Sequence, residues 1–90
     1  MRNPWLTQII KRGIAKDINV LLLRKYLGKK CADSKVLSAL IEDMRIDVLE
    51  FFRHNPEKLK PFVVGGTISY RFNVVKDSGM IEDVQWEPAP

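Results

Sequence analysis

The sequence predicts an α+β fold of two short N-terminal helices, one long amphipathic helix over about residues 34–54, and a C-terminal antiparallel β-hairpin or three-stranded sheet on that long helix. Three observations predict it. Apolar residues recur with a helical period from Leu37 to Phe52. The period falls to two from Thr67 onward, and Lys76-Asp77-Ser78-Gly79 is turn chemistry between two alternating runs.

Asn3-Pro4 opens the first helix, because Asn caps and Pro suits the first helical position. Trp5, Leu6, Ile9 and Ile10 share an arc of about 140° at 100° per residue, with Gln8, Lys11 and Arg12 opposite. Gly13 reads as the stop, giving a helix over residues 4–12. Asp17 is then the cap of a second helix, Ile18 to Leu27, ended by Gly28. Its apolar residues point nearly all round the axis, the pattern of a helix at the centre of a core or an interface. Ninety residues bury such a helix with difficulty, so Leu21, Leu22, Leu23 and Tyr26 are candidates for an oligomer or partner interface.

Asp33 or Ser34 caps the long helix. Leu37, Leu40, Ile41, Met44, Val48, Phe51 and Phe52 fall within an arc of about 120°, and Asn55-Pro56 ends the pattern. Ile68, Tyr70, Phe72 and Val74 then alternate with polar residues as one strand, and Met80 to Glu87 supplies another. A three-residue loop, Asp77-Ser78-Gly79, sets Phe72 opposite Val84 and Tyr70 opposite Trp86, aromatic on aromatic. Phe62-Val63-Val64, followed by Gly65-Gly66, is a candidate third strand.

Charge is concentrated at one end. Residues 1–30 carry eight cations against Asp17 alone, a net +7, while the middle and final thirds come to −1 and −2. Lys11, Arg12, Lys16, Arg24, Lys25, Lys29 and Lys30 are therefore candidates for binding nucleic acid or an acidic partner. The plain alternative is that cations near helix C-termini complement the helix dipole and keep an apolar segment in solution.

Several classes are excluded. One cysteine, Cys31, forms no internal disulfide, and one Cys with one His makes no zinc site. The longest apolar run, Val20 to Leu23, is far short of the roughly 18–20 residues of a membrane span. No secretory signal is visible, and a transit peptide would be rich in Ser, of which residues 1–30 contain none; the expectation is cytoplasmic. A helix-turn-helix is opposed by the seven-residue connection from Gly28 to Ser34 and by Glu42, Asp43, Asp47 and Glu50 on the helix that would read DNA. Those acids share one helix and do not face each other across a cleft, and there is no phosphate loop, so neither an enzyme nor a cofactor is expected.

The segment from Asn55-Pro56-Glu57 through Gly66, Ile68, Tyr70, Phe72 and Trp86 resembles the opening of sterol-carrier-type lipid-binding domains. It covers about a third of the chain, which stops where such a domain needs more strands. The resemblance implies apolar-ligand or lipid binding as a minor alternative. The leading expectation is a small, self-associating, non-enzymatic binding module that docks on a larger macromolecule through its N-terminal helices. Nucleic acid is the first specific partner, and a protein–protein adaptor or inhibitor is the alternative.

Overall fold

A computed structural model describes residues 4–89. The expected cap Asn3 lies outside them. From Pro4 to Tyr26 the chain forms one helix of 23 residues, α1, and not two. Ile14, in the expected break, and Ile18, Leu22 and Tyr26, in the second expected helix, are spaced by four and make one buried stripe. An interior glycine costs about 1 kcal/mol relative to Ala. Burying each large apolar residue of the stripe returns roughly 1.5–3 kcal/mol, so packing overrides the stop signal at Gly13. Asp17 sits mid-helix, with Lys58 Nζ at 3.9 Å. The helix ends where Gly28 predicts: φ there is +81°, and the Lys29 amide donates to the Tyr26 carbonyl at 3.1 Å.

The long amphipathic helix, α2, spans Ser34–His54. Asp33 caps it, one carboxylate oxygen accepting from the Val36 amide at 2.9 Å. Met44, Val48 and Phe52 form its buried line, with Leu37, Leu40, Ile41 and Phe51 packed beside them. Asn55 breaks the helix before Pro56, and a single turn, α3 (Pro56–Leu59), follows, continued by a 3-10 turn over Lys60–Phe62.

Strands β1 (Tyr70–Asp77) and β2 (Met80–Pro88) form a two-stranded antiparallel sheet, so the architecture is α+β. The third strand proposed at residues 62–64 does not form. Gly65-Gly66 does turn the chain, with φ of +60° and +81°, but it closes only an isolated bridge between Val64 and Thr67. Phe62 is instead held in the core, its ring 5.0 Å from Trp86 and 6.1 Å from Phe52. The residues after α1 take the place beside the sheet. The Gly28 amide donates to Ile81 O at 2.8 Å, Ile81 N to Lys29 O at 2.9 Å, and Cys31 N to Gly79 O at 2.7 Å.

The register also differs from expectation. The loop is two residues long, Ser78 (φ +54°) and Gly79 (φ +75°), as a type I′ turn requires. That loop alone would put Val74 opposite Asp83 and Phe72 opposite Gln85, apolar against polar. A bulge after Val75 leaves Glu82 unpaired and restores the parity, so Val74 meets Val84 and Phe72 meets Trp86. Tyr70 faces Pro88 and reaches the Trp86 ring diagonally, at 5.7 Å.

The sheet was expected on the long helix; its main seat is α1. Ile81, Val84 and Trp86 of β2 are buried with the α1 stripe, and the Trp86 amide donates to Asn19 Oδ1 at 2.6 Å. The long helix α2 reaches the sheet through Phe52, whose ring lies 5.9 Å from Trp86. The physical reason is the stripe itself, for a continuous 23-residue helix offers four turns of apolar surface where two short helices would not.

Candidate functional site

Burying one stripe leaves the opposite side of α1 exposed. Trp5, Leu6, Ile9, Ile10, Val20 and Leu21 are 37–71% exposed. Wound at 100° per residue they span an arc of about 160°, on the side away from the buried stripe. Scattered exposed apolar residues need no explanation, but an aligned row along one helix does.

Beside the C-terminal half of this row lies a groove between α1 and α2, with a volume of about 360 Å³. Ile18, Leu21, Leu22, Val48 and Phe51 give it an apolar lining, and Lys25, Asp47, Glu50 and His54 border it. The border is tied up internally. Asp47 accepts from Lys25 Nζ at 3.0 Å and from the Tyr26 hydroxyl at 2.5 Å, which latches α1 to α2. Burial, then the hydrogen bond and charge of Asp47 and the charge of Asp43, push the Tyr26 hydroxyl far above its ordinary pKa. Glu50 is 3.0 Å from Arg53 and 3.5 Å from His54 Nε2. With its carboxylates so engaged, the groove offers apolar contact edged by charge.

The seven candidate cations do not converge on one surface. Lys11 lies over the Phe62 ring at 6.0 Å, and Lys29 over the Tyr26 ring at 5.2 Å. Lys25 is held by Asp47. Lys30 lies beside Met80 on the sheet edge. Arg12, Lys16 and Arg24 are exposed, make no ion pair among the described residues, and interleave with the apolar row of α1. Lys11 and Arg12 also line, with Gln8, Ala15, Pro88 and Ala89, a shallow depression of about 340 Å³.

Of the four interface candidates, Leu22 and Tyr26 are core residues at 2% and 0% exposure, Leu23 is half-buried, and Leu21 faces solvent at the groove. Cys31 is fully buried. Two residues organise this region in roles that the sequence does not display. Asn19 is the lone polar residue in the run Ile18 to Leu23, and that interruption is a signal in itself. Asp47 stands at the edge of the α2 stripe, four residues from Asp43, and reads in the sequence as one more solvated acid.

Among the described residues no helix is long and apolar enough to cross a membrane, and no three of His, Cys, Asp and Glu are grouped to hold a metal. Compared with known proteins, the chain matches no family model, no curated protein and no solved structure.

Proposed function

We propose that this chain is a non-enzymatic binding module that docks on another protein through the outer face of α1. One observation carries the reading: the exposed apolar row from Trp5 to Leu21 lies on one side of a rigid helix, interleaved with Arg12, Lys16 and Arg24. Apolar residues supply the affinity of such a contact, and the interleaved cations bias it toward a partner whose surface is apolar and acidic. The apolar-ligand alternative is supported only by the groove, which is wide open beside Leu21.

A second reading, non-specific nucleic-acid binding, is favoured by the net +7 of residues 1–30 and by the unpaired Arg12, Lys16 and Arg24. It is weakened by the inward contacts of Lys11, Lys25 and Lys29. A photo-crosslinking residue in place of Ile9, together with anisotropy titrations of labelled oligonucleotides, separates the two. Discrete protein adducts that vanish when Ile10 is changed to Asp support the docking face. Oligonucleotide binding that collapses with salt, without protein adducts, moves the assignment to nucleic acid.

A further inference from the structure

We infer that the free edge of β1 takes an extended segment of another protein, added antiparallel as a third strand and reading acid-x-apolar-x-apolar-x-apolar. This surface is separate from the outer face of α1 and stands without it. Which main-chain groups point to that edge follows from the hairpin. In an antiparallel pair, alternate residues turn both N–H and C=O away from the neighbouring strand. On β2, Trp86 donates outward to Asn19 Oδ1, and Ile81 exchanges bonds with Gly28 and Lys29. Their partners across the hairpin, Phe72 and Lys76, are therefore turned outward on β1. Ser69 O accepts from the Ala89 amide at 2.8 Å and so faces inward, which turns Tyr70 outward, and Val74 follows by alternation.

The two edges of the sheet then differ. β2 is met at Trp86 and at Ile81, and Pro88 has no N–H to leave open. On β1, no group outside the sheet among the described residues bonds to the main chain of Tyr70, Phe72, Val74 or Lys76. Edge strands are ordinarily blunted by proline, by a bulge or by charges pointing inward. β1 has no proline, and the bulge puts its extra residue on β2. Lys76 is the one charge on the core side of β1, and it stands at the hairpin end.

The side chains at these positions define the occupant. Tyr70, Phe72 and Val74 turn their main chain outward and their side chains to the core, where they are only half-buried. An antiparallel strand beside them, the stronger pairing per residue, sets alternate side chains on the same face, so those opposite Val74, Phe72 and Tyr70 are apolar. Lys76 makes no ion pair among the described residues, so the position opposite it takes Asp or Glu. The outer face of β1 asks for nothing specific: Arg71 is bonded to Glu87 at 3.0 Å, and Asn73 and Val75 are exposed. The chain's own β2 obeys the same apolar rule, with Val84 opposite Val74 and Trp86 opposite Phe72.

Amide hydrogen exchange of the full chain, read residue by residue by NMR, tests this with a blocked synthetic peptide, Glu-Thr-Val-Thr-Trp-Thr-Val. In the free chain the amides of Tyr70, Phe72, Val74 and Lys76 should exchange fast, and those of Arg71, Asn73 and Val75 slowly. Peptide at roughly ten times its Kd should slow the first set about tenfold and leave the second set as it was. Methylating the amide nitrogens of the first Val and the Trp should abolish the effect, because those N–H groups face β1; methylating the first two Thr should not. A peptide with Lys in place of Glu should bind more weakly, and Lys76→Glu should reverse that preference. Edge amides already slow in the free chain, no protection by the peptide, or equal protection by both methylated forms overturns the inference. So does faster exchange at Arg71, Asn73 and Val75, which means that the peptide displaces β2. Edge amides that slow with protein concentration alone also overturn it, and assign the edge to a second copy.

Discussion

Asn19 joins the first helix to the last strand, and removing its side-chain acceptor gives the sharpest test of how this fold is held. Its Oδ1 accepts the Trp86 amide at 2.6 Å, and Trp86 is 1% exposed, so in Asn19→Ala that buried donor has no partner. An orphaned buried amide costs about 1–3 kcal/mol. A mid-range loss of about 2 kcal/mol is a large share of the roughly 5–13 kcal/mol expected for a domain this size. With a urea m-value near 1 kcal/mol/M, the unfolding midpoint should fall by about 2 M with m unchanged. At about 4–8 °C per kcal/mol, Tm should drop by about 8–16 °C. Asn19→Asp keeps an acceptor at the same place and should lie closer to wild type than to the Ala variant. Equilibrium urea unfolding followed by far-UV circular dichroism makes the measurement. A loss below about 0.5 kcal/mol for Asn19→Ala would refute the reasoning, for it would mean that water reaches the amide and that the seat of β2 on α1 is open.

Other consequences can be measured on the same instruments. Gly13→Ala should stabilise the protein by about 0.5–1 kcal/mol, because the site is helical and nothing crowds the new methyl; destabilisation would mean that the helix breaks there. Leu22→Ala should cost about 2–5 kcal/mol and its neighbour Leu21→Ala well under 1 kcal/mol, since one is 2% and the other 47% exposed; equal costs would contradict the facing of α1. The Tyr26 hydroxyl keeps its proton to a higher pH in the folded chain than its ordinary value of 10.0, so its contribution is fully present below about pH 10 and is lost as pH rises further. Tyr26 should add up to about 1.4 kcal/mol per pH unit to the slope of alkaline unfolding, and Tyr26→Phe should remove that share while leaving the share of Tyr70, whose hydroxyl burial also pushes up; an unchanged slope would show that Tyr26 is not a linked group.

What the sequence revealed was local. Asp33, Asn55-Pro56 and Gly28 act on the residues beside them, and all three bound their helices as their chemistry predicts. Gly13 and Asp17 send equally local signals, but the stripe from Ile14 to Tyr26 is buried by α2 and by β2, the latter more than fifty positions away, and that burial decides the matter. The hairpin shows the same limit. Aromatic pairing correctly demands even parity, yet parity can come from a three-residue loop or from a two-residue loop with a bulge, and the strands alone do not distinguish them. The groove was hidden for a similar reason: Leu21 and Phe51 are neighbours only because α1 and α2 are latched through Tyr26 and Asp47. Charge composition located the basic end but not its geometry, since Lys11, Lys25 and Lys29 each turn toward an aromatic ring or an acid.

The seating of β2 on α1 has a consequence for how the chain is made. The stripe Ile14, Ile18, Leu22 and Tyr26 leaves the ribosome about sixty residues before the strand that seats on it, Ile81, Val84 and Trp86. At about 5–20 residues per second that interval is roughly 3–12 s. Until then the side of the stripe that β2 covers is bare as well as the outer row, and only α2 is at hand to shield part of it. A chain cut short before residue 81 by nicking or by an early stop would keep that surface permanently, as a client for chaperones or proteases. The arrival of β2 completes the cover of the first helix and turns it from a sticky rod into half of a core.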